Sequence, residues 1–287
     1  MYDVIIIGAG PAGLTAAIYA LRANKKVLIL EKNIPGGQII NVSKVDNYPG
    51  IPSTTGFNII NNMLEQLNSF GGEITYEEVT SITKDKKVIT NNHTYEGKSI
   101  IIANGLEKTK IDFLENKPNI SYCAICDGAF YKGKDIAVVG NGDNTLDDII
   151  YLSSIVNHIY LIVKAPKLFG NTELINKVSN LDNITIIYEA SVIDAEFSNK
   201  LEYILLNNSE KLKVDGLFIT TYGYKPNNSM FNDLIELDEK GFIKTHDGIY
   251  TNIEGIYAIG DTRVKDLRQI VTAASDGALA ATISNRK

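Results

Sequence analysis

The sequence predicts an α/β fold built from two Rossmann-like units, and two observations predict it. A short β-branched run, Val4–Ile7, ends in a glycine-rich turn, Gly8–Gly13. The same arrangement returns about 130 residues later as Ile136–Val139 followed by Gly140–Thr145. After each turn comes a helical stretch and a second apolar run. These runs read as strands buried on both faces, which is the mark of a parallel sheet.

In chain order, the first unit has its strand at Val4–Ile7, a helix near Leu14–Ala23 and a second strand at Val27–Leu30. Ile74–Val79 and Ser99–Ala103 read as further strands. The second unit has its strand at Ile136–Val139, a helix over Leu146–Val156 and a strand at Ile159–Val163. Ile184–Tyr188 and Leu217–Thr220 add two more strands. Near the C-terminus, Gly255–Ala258 reads as a strand running into Gly260-Asp261, and Asp266–Ile283 as a closing helix. Two such units mean two dinucleotide-type domains in series, or one inserted in the other.

Composition supports a folded globular protein. Of 287 residues, 44% are hydrophobic and 22% charged, which is enough apolar material for a sizeable core. Lys and Arg number 28 against 34 Asp and Glu, a net charge of −6, so nothing favours bulk nucleic-acid binding. No apolar run approaches the ~18 residues that span a bilayer. The N-terminus lacks a basic region ahead of its first apolar run, so no signal peptide and a cytoplasmic location are expected.

Gly8-Ala9-Gly10-Pro11-Ala12-Gly13 is a G-x-G-x-x-G turn set between a strand and a helix. The first glycine permits the tight turn, the second lets a pyrophosphate approach the backbone, and the third lets helix and strand pack closely. Phosphates then lie at a helix N-terminus, where amide donors and the dipole favour anions. Glu31 ends the second strand, 18 residues after Gly13, and can accept hydrogen bonds from a ribose. Glycine spacing does not separate FAD from NAD. A strand ending in Gly260-Asp261 can bring a carboxylate to a ribitol hydroxyl, or can be a turn capped by its Asp.

The chain has two cysteines, Cys123 and Cys126, in a C-x-x-C followed by Asp127-Gly128. Such a pair can close a small redox ring, and its thiolate can be acidified by a helix N-terminus. A zinc site needs four ligands. There is no further Cys, and His93, His158 and His246 are scattered, so no metal is expected. Two inert thiols remain the plain alternative.

Together these pieces resemble the low-molecular-weight, bacterial-type thioredoxin reductases. The resemblance rests on Gly8–Gly13, Gly36-Gly37-Gln38, Asn47-Tyr48-Pro49-Gly50, Ile101–Gly105, Cys123–Gly128, Gly260-Asp261 and Arg268-Gln269, in the family's order over nearly the whole chain. It implies two FAD/NAD(P)-type three-layer ββα domains, the second inserted in the first. Residues 1–110 with 241–287 would bind FAD, and residues 111–240 would carry the redox disulfide. It implies a homodimer with thioredoxin as substrate. By carry-over, FAD is bound by Gly8, Gly10, Pro11, Ala12, Gly13, Glu31, Lys32, Gly36, Gly37, Gln38, Asn47, Val79, Ala103, Gly105, Gly260, Asp261, Arg268, Gln269 and Ile270. Val79 and Ala103–Gly105 would lie near the adenosine end. Asn104 is a departure, since Thr is usual there. Cys126 would face the flavin, Cys123 would attack thioredoxin, and Asp127 would be the general acid, although Asp is also a common N-cap. Because one cysteine pair must meet both flavin and thioredoxin, the central domain is expected to move.

The second glycine turn departs from the pattern. Gly140 and Gly142 remain, but Thr145 stands where a small residue is expected, and Asp143 puts a like charge where phosphates would bind. In NADPH-using members a His-Arg-Arg group follows the next strand, with another Arg a few residues on. This chain reads Val163-Lys164-Ala165-Pro166-Lys167-Leu168-Phe169, with no guanidinium for a 2′-phosphate. The pattern is similar to the clostridial ferredoxin-dependent flavin thioredoxin reductases, which implies ferredoxin as donor. Ferredoxin gives one electron at a time where a disulfide needs two, and a flavin can bridge them. Ferredoxins are typically acidic, and Lys108, Lys110 and Lys117 are candidates for the docking face. The rival readings are an NADPH enzyme with Lys164 and Lys167 as substitutes, a flavin dithiol oxidase, and a non-catalytic flavoprotein.

Overall fold

The computed structural model describes the chain except residues 43, 109–110, 115–116, 221–223, 232 and 285–287, and except the side chains of Asn41, Lys108, Asp112 and Cys126. The chain divides into two compact units, one made of residues 1–107 and 225–287 and the other of residues 108–224. The second unit is thus an insertion in the first.

In the first unit β1 (Tyr2–Ile7), α1 (Pro11–Arg22), β2 (Val27–Glu31), α2 (Gly56–Ser69) and β3 (Ile74–Tyr76) are followed by β4 (Val79–Ile82), β5 (Lys87–Thr90) and β6 (Thr94–Ile102). A short strand, β7 (Leu106–Lys108), leads out of the unit. The sheet runs β3-β2-β1-β6-β5-β4. Strands β1, β2, β3 and the inner half of β6 are parallel, with Ile6 opposite Ile29 and Ile101. Alternation along β1 sets the layers. Val4 and Ile6 pack with Leu14, Ala17 and Ala280 on the helical face. Ile5 and Ile7 pack with Val79, Val88 and Phe231 on the other. The buried two-sided run in the sequence is therefore a parallel strand between two layers.

The second unit repeats the plan. Strand β8 (Ile120–Ser121), α3 (Ala124–Asp127), β9 (Asp135–Val139), α4 (Asp143–Ser153), β10 (His158–Val163), α5 (Thr172–Ser179) and β11 (Ile184–Tyr188) come first. The meander β12 (Val192–Phe197), β13 (Leu201–Leu206) and β14 (Lys211–Lys213) precedes β15 (Gly216–Ile219), and β16 (Tyr224–Pro226) falls at the return to the first unit. The parallel sheet runs β11-β10-β9-β15-β8. Ile136 and Val138 face α4 and α5, and Ala137 and Val139 face the meander. The chain then returns to the first unit, where β17 (Ile256–Ala258) pairs parallel with β6 and α6 (Ile270–Ser284) packs on α1.

Three expectations are corrected. The return to the first unit falls at 224/225, not 240/241. Phe231 and Ile235 are 1% exposed and belong to the core around Ile5 and Ile7. Ile74–Val79 is two strands, broken where the buried Glu77 accepts from Thr90 Oγ1 at 2.5 Å and Tyr95 Oη at 3.0 Å. The last helix begins at Ile270, because Arg263–Gln269 forms a hydrogen-bonded loop described below.

Candidate functional site

The first glycine turn sits at the carboxyl ends of β1 and β2, where open α/β sheets place ligands. Gly8 has φ +103°, and a Cβ there would lie 2.5 Å from the Ala103 carbonyl oxygen. A Cβ on Gly13 would run into the Gly8 carbonyl. Helix α1 starts with Pro11 and carries no acidic residue in its first turn, so its positive end meets no charge of its own. Glu31, at the tip of β2, accepts from Ala9 N at 2.8 Å and Asn33 N at 2.9 Å. Lys32 pairs with Glu107. The crevice there is lined by Gly8, Glu31, Lys32, Val79, Asn104 and Met230.

Gly36 is left-handed, with its N–H bonded to Ala9 O at 2.9 Å, and Gly37 opens a 3₁₀ turn carrying Gln38. Gln38 Nε2 donates to Leu106 O at 3.4 Å. Asn47 Nδ2 donates to Gln269 Oε1 at 2.9 Å, joining positions 222 apart in sequence. Ala103 is buried at the end of β6, beside Gly8, and Gly105 (φ +62°) follows Asn104. Asn104 donates to Asn227 O at 2.9 Å and Asn228 Oδ1 at 3.1 Å.

Two buried oxygens, Asn104 Oδ1 and Asp261 Oδ1, have no hydrogen-bond partner among the described residues. Burial pushes the Asp261 carboxyl above its usual value, Lys265 and Arg268 pull it back, and Asp276 adds to the rise. A buried acceptor of this kind is costly unless a donor reaches it. A ligand hydroxyl would satisfy Asp261, and the glycine turn and Glu31 suit a pyrophosphate and a ribose, so these residues fit FAD.

The loop presenting Asp261 is held by two groups that the sequence reading placed differently or missed. Arg268 donates to the carbonyls of Asp261 (3.3 Å), Lys265 (3.1 Å) and Arg263 (3.1 Å), and lies 4.3 Å over the Phe242 ring. Much of its guanidinium thus serves the loop itself. Asp276, on α6, accepts from Arg263 Nε (3.0 Å) and Nη2 (2.9 Å), Lys265 Nζ (3.0 Å) and Gly260 N (2.9 Å). Burial works to raise its pKa, but these bonds outweigh it, and the carboxyl lies below the usual value. The available signal was a lone acid inside an apolar helix. Ile270 begins that helix, half-buried, after the exposed Gln269.

In the second unit, Cys123 is disulfide-bonded and half-buried just before α3, and Cys126 lies in α3 with its side chain outside the described residues. The backbone N–H of Cys123 donates to Ser121 Oγ at 3.1 Å, and Ser121 Oγ donates to Asp127 Oδ2 at 2.8 Å. Asp127 makes no side-chain cap to the 3₁₀ turn it precedes, so the N-cap reading is corrected. Ser121, 3% exposed, is a site residue the sequence reading missed. Ile125 and Phe130 are 71% and 73% exposed on the same segment.

The second glycine turn differs from the first at several positions. Helix α4 begins with the carboxylate of Asp143, the position that Pro11 holds in α1. Thr145 is fully buried and bonds to Thr220 Oγ1 at 2.9 Å, filling the place of a small residue. Lys164 and Lys167 are exposed, and Phe169 is 52% exposed. Lys117 lies 5.8 Å over the Phe197 ring, while Lys110 and the Lys108 side chain lie outside the described residues.

Residues 2–277 match the family described as pyridine nucleotide-disulphide oxidoreductase. The chain is 38% identical to a thioredoxin reductase of Bacillus subtilis, over 98% of this chain and 93% of that one. It superposes on a crystal structure of Lactococcus lactis thioredoxin reductase with TM-score 0.87 and 36% identity, covering 100% and 98% of the two chains. A ferredoxin-flavin thioredoxin reductase from Clostridium acetobutylicum is 26% identical with TM-score 0.56, covering 99% and 97%.

Proposed function

Because the chain belongs to the FAD-binding pyridine nucleotide-disulphide oxidoreductases, and within them to the low-molecular-weight thioredoxin reductases, we propose that it reduces thioredoxin through Cys123 and Cys126. Its electron donor is reduced ferredoxin rather than a pyridine nucleotide.

The Gly8–Gly13 turn and the α1 N-terminus hold the FAD pyrophosphate, Glu31 the ribose and Asp261 the ribityl chain. Gln38, Asn47, Arg268 and Gln269 are assigned to the same cofactor by the resemblance. When bound, FAD supplies a store in which electrons arriving singly are paired for a disulfide.

The reduced pair acts by thiol–disulfide exchange. The Cys123 thiolate attacks one thioredoxin sulfur, forming a mixed disulfide and releasing the other as a thiolate. Asp127 is assigned as the general acid that passes a proton to that leaving thiolate. The Cys126 thiol then gives up its proton and attacks Cys123 Sγ, the expelled thioredoxin thiolate takes up that proton, and the thioredoxin dithiol leaves as the Cys123–Cys126 disulfide is restored. Two electrons pass from the pair to thioredoxin. The half-buried Asp127 is held for this role by Ser121. The protein works as a homodimer in the cytoplasm.

The observation that carries the donor assignment is the Val163–Phe169 segment, where no Arg stands ready for a 2′-phosphate. The exposed Lys164 and Lys167 favour the rival, NADPH-driven reading. Steady-state reduction of thioredoxin separates them. Turnover with a ferredoxin-reducing system and none with NADPH supports the proposal; NADPH-driven turnover at micromolar nucleotide refutes it.

A further inference from the structure

In the second unit the loop after β10 is fastened to the glycine turn by side chains of the turn itself. Asn141 Oδ1 accepts from Phe169 N at 2.8 Å and from Gly142 N at 3.0 Å, and Asn141 Nδ2 donates to Lys167 O at 3.0 Å. Asp143 Oδ1 accepts from Asn171 N at 2.6 Å. Gly170, at φ +133°, lies against that same oxygen, where a side chain would collide. Three hydrogen bonds thus cross from residues 141 and 143 to residues 167–171.

These two segments are the walls between which a βαβ unit takes a dinucleotide, phosphates at the helix N-terminus and ribose at the end of the next strand. Here the Asn141 amide spans the gap. The Gly142 N–H, in the stretch that would meet a phosphate, is already bonded to Asn141. The first residue of α4 brings a carboxylate to the positive end of the helix. An anion there is favourable for the helix and unfavourable for a second anion. The first unit differs at the same places. Ala9 has no polar side chain, and Pro11 leaves the first turn of α1 without an acid.

We infer that Asn141 and Asp143 are specificity determinants that exclude pyridine nucleotides by occupying the second dinucleotide site from within. The amide ties the 164–171 loop down, and the carboxylate stands in for the ligand phosphate. This rests on the reading that the donor is not a pyridine nucleotide, and it goes further. It attributes the exclusion to two residues that close the site, not only to missing arginines beyond β10.

The test uses FAD-loaded protein and ADP-ribose, which carries the pyrophosphate and ribose but needs no 2′-phosphate site. Binding is measured by calorimetry for the wild type and for the pair Asn141→Ala with Asp143→Ala. The wild type is expected to show no binding at millimolar ADP-ribose. The double variant is expected to bind about tenfold tighter or more, the order that removal of one nearby like charge allows. Its ferredoxin-driven turnover should be unchanged. If the double variant does not fold, Asn141→Ser with Asp143→Asn carries the same prediction at a smaller gain. A folded variant that binds no better than the wild type overturns this inference and leaves the ferredoxin reading intact. Wild-type protein that is reduced by NADPH overturns both.

Discussion

Ser121 Oγ stands 2.8 Å from Asp127 Oδ2 while accepting the backbone N–H of Cys123 at 3.1 Å, so one buried hydroxyl links the candidate acid to the redox segment. Positioned general acids contribute about 10²–10⁴-fold. Asp127→Asn should therefore lower kcat for thioredoxin about 100-fold or more, with flavin content unchanged. Ser121→Ala should cost less, because it loosens the acid without removing it. Stopped-flow and steady-state rates on the two variants check the order; equal rates for wild type and Asp127→Asn would remove Asp127 from the chemistry.

Asp276 concerns stability. It is one carboxylate between two largely buried cations, with Arg263 and Lys265 side chains 13% and 7% exposed. Removing one partner of a buried pair costs about 3–5 kcal/mol. Asp276→Ala should lower the Tm markedly and weaken FAD retention through the 260–268 loop. The pH sense follows from the depressed folded-state pKa. Its stabilisation is present above the unfolded value of about 3.9 and is lost as pH falls through the folded value. Melting curves from pH 7 to pH 3 should show the wild type losing its advantage over Asp276→Asn in the acid range.

Asp261 should behave in the opposite sense. Its carboxyl is raised, first of all by burial. The neutral form is therefore less disfavoured in the FAD-free folded protein than in the unfolded chain, and stability from this group is lost as pH rises through the folded value. Asp261→Asn should leave FAD-free protein as stable at pH 7, or more so, while raising the FAD dissociation constant about tenfold through loss of one charge-assisted hydrogen bond. A variant with unaltered FAD affinity would take Asp261 out of the cofactor site.

The sequence made the sheet and its turns legible because they follow from local periodicity. Val4–Ile7 could be read as a two-sided strand, and Gly8–Gly13 as its turn, without any distant residue. The segment 225–240 was misplaced because spacing does not say which unit an apolar residue joins, and only packing against Ile5 and Ile7 assigns Phe231 and Ile235 to the first. Ser121, Asp276 and Asn228 were missed for a related reason. Their roles lie in hydrogen bonds to backbone or side chains that no local pattern encodes, such as Thr262 Oγ1 to Asn228 Oδ1 at 2.8 Å, 34 positions apart. Departures from the family pattern at Asp143, Thr145 and Val163–Phe169 were visible in sequence, but the bonds that close the turn were not.

The electron donor is tested most directly by an anaerobic absorbance titration of the yellow, FAD-loaded protein. Separate samples receive NADPH, NADH, and ferredoxin held reduced by an independent system. Bleaching of the flavin by ferredoxin, with both pyridine nucleotides inert, is the predicted result. Prompt bleaching by micromolar NADPH would contradict it and make this a pyridine-nucleotide-driven thioredoxin reductase.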